Sequence, residues 1–174
     1  MSRGKSSHRT FAGEGSLVII RGPPGVGKTT IGKLLWKRYG DGAIIEAASL
    51  RNMQTNTKWE DLQSYRLALK QTAIVAREFL DEGRRPVIIV DALPGWALTY
   101  LLRNLREPCL IVTLMATPSA LLKRVRGRIA GYSDESAILG VRKEMKEDAS
   151  KGVVLDTSKM NASQVASKVF QLIG

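Results

Sequence analysis

Along this 174-residue chain, short continuous apolar runs alternate with longer stretches in which apolar residues recur every three or four positions. Continuous runs bounded by turn residues suit strands buried on both faces, and the wider spacing suits one face of a helix. Leu17-Val18-Ile19-Ile20 is the first run, entered through Gly15 and Ser16. Ala43 to Ala47, Pro86 to Asp91, Cys109 to Met115 and Val153 to Leu155 are the next four.

Between the runs the spacing predicts helices. Thr30 to Tyr39 carries Ile31, Leu34 and Leu35 and stops at Gly40 and Gly42. Arg51 to Thr57 reads as a polar connection, after which Thr57-Lys58-Trp59-Glu60 makes a capping-box pattern. The long helix it introduces has the packing stripe Leu62, Tyr65, Leu69, Thr72, Ala73, Ala76, Phe79 and Leu80, and Gly83 closes it. A shorter helix starts at about Ala97. Pro118, at a first helical position, opens one through Leu121, Leu122 and Val125. Ser133 or Asp134 can cap a helix to about Ala149, and Asn161 can cap the last, packed through Val165, Val169 and Leu172. Strands alternating with helices over the whole length imply an α/β fold of three layers, α/β/α, on a five-stranded parallel sheet with right-handed crossovers. Ligands of such sheets sit outside the carboxyl ends of the strands. The loops after Glu46, Asp91, Met115 and Leu155 should therefore surround one crevice.

The loop after the first strand carries the chemistry. Gly22-Pro23-Pro24-Gly25-Val26-Gly27-Lys28-Thr29 satisfies every position of the G-x-x-x-x-G-K-[ST] phosphate-binding loop and stands in the required strand-loop-helix context. Its glycines let backbone N–H groups curl round a polyphosphate, Lys28 reaches the outer phosphates, and the Thr29 hydroxyl can ligate Mg²⁺. Thr30 and the residues after it bring a helix N-terminus, with its orphan amides, to the same phosphates. This is the P-loop NTPase arrangement, and it implies binding of a nucleoside triphosphate.

Composition narrows the setting. The length suits one domain, and 44% hydrophobic with 25% charged residues is a globular balance. Met1 to Gly15 has no apolar stretch of signal-peptide length and reads as a flexible basic tail, in which the lone His8 is solvated. No apolar run is long enough to span a membrane. A single cysteine, Cys109, cannot form an internal disulfide and suits a reducing compartment, the cytoplasm. Lys and Arg total 27 against 16 acids, a net charge of +11 and a pI of about 10.1, which attracts polyanions and leaves nucleic acid open as a partner.

Asp91, ending a hydrophobic strand, stands where a second Mg²⁺ anchor is expected, and could instead accept a proton from an acceptor hydroxyl. Ala92 rather than a second acid follows it, which argues against the hydrolytic site of ring-forming ATPases. With the phosphate loop, the strand-end Asp91, the arginine-bearing segment Pro118 to Arg128 and Asp156-Thr157-Ser158 before the last helix, residues 16 to 174 resemble the small P-loop kinases. Their overall pattern is most similar to the branch of polynucleotide kinases, chloramphenicol phosphotransferase, and gluconate and adenylylsulfate kinases. The resemblance implies a lid near residues 127–137, with Arg124 and Arg128 on one helix face and turned toward nucleotide and transferring phosphoryl. Arg126 sits on another face, and Arg142 is a further candidate. It also implies that Thr157 passes near the adenine.

One departure matters. Family members that phosphorylate a hydroxyl often carry an Asp just after the second strand, three residues before an Arg, as general base. Arg51 is present here, but the corresponding residue is Ala48. Glu46, two residues earlier, or Asp91 would then be the base, unless the acceptor is a phosphate that needs none. Trp59, Tyr65, Trp96 and Tyr100 lie on segments that should flank the acceptor, either as packing or as stacking surfaces. The chain therefore reads as an ATP- and Mg²⁺-dependent kinase acting on an acceptor hydroxyl of a nucleoside, a small metabolite or a nucleic acid 5′-end. Its alternatives are a nucleoside-monophosphate kinase and a nucleic-acid-binding ATPase or switch with no acceptor.

Overall fold

The computed structural model describes residues 16–55, 61–127, 134–148 and 151–174. The five expected strands form one sheet: β1 (Leu17–Arg21), β2 (Ala43–Glu46), β3 (Val87–Asp91), β4 (Leu110–Met115) and β5 (Val153–Asp156). Their order is β2-β3-β1-β4-β5, every pairing parallel. β1 is central, and its side chains divide by parity between two cores. Val18 and Ile20 pack with Ile31 and Leu35 of α1 (Lys28–Tyr39), Leu121 and Val125 of α5 (Pro118–Arg126) and Val165 and Val169 of α7 (Ala162–Ile173). Leu17 and Ile19 pack on the other face with Leu69, Ala73 and Ala76 of α3 (Leu62–Asp81) and Leu98 and Leu101 of α4 (Gly95–Leu105). This two-sided burial is why the strands read as continuous apolar runs rather than alternating ones.

Several boundaries differ from the sequence reading. A helix not expected from the pattern, α2 (Ala47–Asn52), follows β2 without a break and buries Ala47 and Arg51. The long helix starts later than the capping-box pattern implied. Asp61 is its N-cap, its carboxylate accepting from the Gln63 and Ser64 amides, while Thr57 to Glu60 lie outside the described residues. Leu62, Phe79 and Leu172, expected in packing stripes, are exposed, and Ile173 takes the buried place at the end of α7. The two remaining helix starts also shift: α1 begins at Lys28 and α4 at Gly95. Cys109 lies half-buried just ahead of β4.

The tail 1–15 lies outside the described residues, as do 128–133 of the expected lid. Of its remaining positions, Gly127 ends α5 and 134–137 make the start of α6 (Glu135–Glu147), which Asp134 caps. No described helix is long and apolar enough to cross a membrane.

Candidate active site

In-register parallel pairing puts the strand ends in one line: Arg21 lies opposite Asp91 and Thr113, Glu46 opposite Val90, and Met115 opposite Asp156. Everything that follows a strand therefore emerges along one crest. The phosphate loop rises from its middle. A Cβ on Gly22 would fall 2.4 Å from the Leu114 carbonyl oxygen, so the loop can lie this close to β4 only without a side chain there. Gly27, at φ 103°, makes the left-handed turn into α1.

α1 differs from most other helices here. Asp61, Thr117, Asp134 and Asn161 cap α3, α5, α6 and α7 with side-chain oxygens, whereas no described side chain caps α1. Its first amides and the positive end of its dipole are thus left for an anion, next to the Lys28 ammonium. Lys28 Nζ donates to the Gly22 and Pro23 carbonyls at 2.8 and 3.1 Å, lying across the loop within reach of anything seated on it.

Beside the loop, Thr29 Oγ1 donates to Glu46 Oε2 at 3.2 Å, and Lys33 pairs with the other Glu46 oxygen at 3.0 Å. Glu46 is thereby drawn to the phosphate side of the crevice. At the end of β3, Asp91 Oδ2 accepts from the Tyr65 hydroxyl at 3.1 Å, and Oδ1 accepts from the Ala92 amide at 2.7 Å. Burial pushes the Asp91 carboxyl above its ordinary range, against the pull of the Ala92 amide, Lys28 and Tyr65. Burial also raises the Tyr65 phenol, so that it remains a hydrogen-bond donor. The Arg51 guanidinium lies over the Tyr65 ring at 5.0 Å, and Trp96 meets that ring edge-on at 5.4 Å. Arg51 is 7% exposed, held by the helix that the sequence pattern did not show.

A pocket of about 200 Å³ opens behind the phosphate loop, walled by Val26, Ile31, Met160 and Val165, with Thr30 and Thr157 at its edges. Arg124 forms one wall. Its guanidinium donates to Thr157 Oγ1 at 3.1 Å and to the Thr157 carbonyl at 2.7 Å. Arg124 and Thr157, expected separately near the nucleotide, are therefore in direct contact. A flat, mostly apolar slot with a guanidinium face suits a planar aromatic ring. Arg128, proposed to share a face with Arg124, lies outside the described residues, as does Trp59. Arg126 pairs with Glu135 at 2.6 Å on the surface, and Arg142 Nε donates to the Ala116 carbonyl at 2.7 Å on the crest.

A family model described as an AAA domain matches residues 18–157, a span running from within β1 through Thr157. The chain belongs to this family. Among relatives, it is 27% identical over 164 residues to a Methanocaldococcus jannaschii protein named "Putative adenylate kinase", covering 90% of this chain and 85% of the relative. Among solved structures it superposes on the Deinococcus radiodurans tunicamycin resistance protein with a TM-score of 0.70 at 21% identity, covering 91% of this chain and 95% of that one. It also matches a gluconokinase from Sinorhizobium meliloti 1021 with a TM-score of 0.67 at 18% identity, covering 95% and 93% of the two chains. The domain is thus a P-loop kinase domain, and the reaction that goes with it is phosphoryl transfer from a nucleoside triphosphate.

Proposed function

We propose that this chain transfers the γ-phosphoryl group of ATP to the phosphate of a nucleoside monophosphate. The observation that carries the acceptor class is the engagement of the carboxylates on the crest. Glu46 is held by Thr29 and Lys33, both oxygens of Asp91 accept hydrogen bonds, and residue 48 is alanine. A hydroxyl acceptor needs a group to take its proton in the transition state, and a phosphate acceptor does not. What the acceptor side presents is the Arg51 cation and the Tyr65–Trp96 aromatic pair, suited to an anionic group joined to a planar ring. The relative named as an adenylate kinase is consistent with this class.

ATP would place its base in the slot beside Arg124 and Thr157 and its phosphates on the amides of residues 25 to 30, with Lys28 on the outer oxygens. Glycines at 22, 25 and 27 let the backbone make that approach, and Pro24 and Val26 complete the loop. Thr29, Glu46 and Asp91 would supply hard oxygen donors of the kind Mg²⁺ takes. When bound, the ion neutralises charge on the bridging phosphate oxygens. Lys28 and Arg124 would add positive charge where the equatorial oxygens gather it, and Arg51 would hold the acceptor in line.

The second reading, a hydroxyl acceptor with Asp91 as base, draws on burial raising that carboxyl's proton affinity, which suits a proton acceptor. An acceptor screen with γ-labelled ATP separates the two. Label appearing in nucleoside diphosphates supports the first reading. Label on nucleosides, small metabolites or oligonucleotide 5′-hydroxyl ends, with monophosphates inert, replaces it with the second. Fast hydrolysis that no acceptor alters removes both.

A further inference from the structure

The last residue of β1 is an arginine with no exposure to solvent, Arg21. Burying a guanidinium is costly unless nearly every donor is met, and here the fork is spread over three segments. Nε donates to Thr113 Oγ1 of β4 at 2.8 Å. One terminal nitrogen donates to the Leu93 carbonyl at 3.3 Å and to Asp148 Oδ2 at 3.0 Å, and the other donates to the Asp148 carbonyl at 2.9 Å. Leu93 is itself unusual: it is fully buried at φ 51°, a left-handed conformation that a branched side chain adopts only where its surroundings impose it.

Each segment that Arg21 ties leads to the crevice. Gly22, the first residue of the phosphate loop, follows it directly, and the Gly22 amide donates to the Ala92 carbonyl at 3.3 Å. The Leu93 turn follows Asp91. Asp148 ends α6, the helix that carries Arg142 to the Ala116 carbonyl on the crest. That end of α6 is seated closely, since a Cβ on Gly95 would come within 3.1 Å of Asp148 Oδ2 and the Gly95 amide donates to Glu144. Ala92, Met115, Val141 and Met145 form a small apolar cluster between the crest and α6.

We propose that Arg21 is a positioning residue for phosphoryl transfer: one buried guanidinium sets the relative placement of the phosphate loop, the Asp91 turn and the C-terminal end of α6, the helix that carries Arg142 at its middle. This rests on the kinase reading of the crevice and holds for either acceptor class. Lysine at position 21 would keep the charge but, lacking the planar fork, could not hold Thr113, Leu93 and both Asp148 oxygens together. ATP, bound mainly by the loop's own backbone and the Arg124 slot, would still bind. The signature is a split between turnover and affinity.

The test is steady-state transfer from γ-labelled ATP by native protein, Arg21→Lys and Asp148→Asn, with Leu105→Ala as a core-destabilised control and circular dichroism as the check on folding. For Arg21→Lys we expect kcat to fall roughly ten- to a hundredfold with KM for ATP changed less than about twofold. Asp148→Asn, which keeps an acceptor oxygen and leaves the main-chain carbonyl in place, should lower kcat by a smaller factor. The double variant should be little worse than Arg21→Lys alone, as expected of two groups acting through one contact. A folded Arg21→Lys with native kcat, or a loss no greater than that of Leu105→Ala at matched melting temperature, overturns the proposal. If Arg21→Lys fails to fold, Asp148→Asn decides, and native kcat in that variant overturns it. Native protein that transfers to no acceptor would sink the kinase reading instead. Hydrogen exchange then tests the coupling, with faster exchange in residues 135–148 of Asp148→Asn and unchanged exchange in α7 expected, and unchanged exchange in both overturning it.

Discussion

The two sides of the crevice are built in different ways. The proposed donor side centres on consecutive residues, one loop and an uncapped helix start, flanked by a slot that the Arg124–Thr157 contact closes. Its ligand contacts are mostly backbone amides, which any sequence with the right glycines can present. The proposed acceptor side is made by side chains from separate elements, with Arg51 from α2, Tyr65 from α3, Asp91 from β3 and Trp96 from α4 held by ring contacts and one hydrogen bond. A nucleotide-binding half fixed by local backbone geometry can persist while an acceptor half assembled from distant side chains is remodelled.

If the division is right, substitutions should sort by side. The largest effect belongs to Lys28→Ala, which removes the ammonium over the loop: transfer from γ-labelled ATP should fall by about 10³-fold with the fold intact by circular dichroism. Asp91→Asn should lower transfer by about 10²-fold and yet raise the melting temperature, because burial penalises the ionised carboxylate. The sign follows from the raised carboxyl. The folded state holds the proton more tightly than the unfolded chain, so the native residue loses stability as pH rises above the ordinary value of 3.8. Melting curves should therefore coincide well below that pH and separate in favour of the variant above it; separation in the opposite direction refutes the assignment.

Arg51→Ala should raise the KM of the acceptor by about tenfold while leaving that of ATP unchanged, since a hydrogen bond to a charged group contributes about 1.5–3 kcal/mol. A matching rise for ATP would dissolve the distinction between the two sides. The smallest effect expected is from Tyr65→Phe, which deletes only the hydroxyl on Asp91. It should cost about 1 kcal/mol in transition-state binding, read as a few-fold loss of kcat/KM.

The same contrast explains what the sequence made legible. Strand order aside, the sheet could be read because its inner strands β1 and β3 are buried on both faces and so appear as uninterrupted apolar runs, while the edge strands β2 and β5 are only partly covered. The phosphate loop is a contiguous motif, and Arg124 with Thr157 came from the kinase resemblance. By contrast α2 is six residues long, too short to show a helical period, and it starts where β2 ends. Asp61 was passed over because a capping box just upstream offered the same chemistry, and only the amides of Gln63 and Ser64 decide which oxygen caps the helix. Arg21 left the faintest trace, a lone cation closing an apolar run, and its partner Asp148 lies far along the chain. Glu46 and Asp91 were both named as bases, and position alone could not separate them. Their contacts differ in the structure, Glu46 meeting Thr29 and Lys33 and Asp91 meeting the Tyr65 hydroxyl.

The central place of β1 in the sheet also bears on how the protein is made. Its neighbours on the two sides begin at residues 87 and 110, so the strand that launches the phosphate loop has no sheet partner until about half of these 174 residues have been synthesised, and lacks its second until residue 115. Contacts between segments this distant in sequence form late and slowly. A nascent chain halted before β4 would carry the complete nucleotide motif on a strand open along one edge, and such an exposed apolar strand invites chaperones or aggregation rather than ATP.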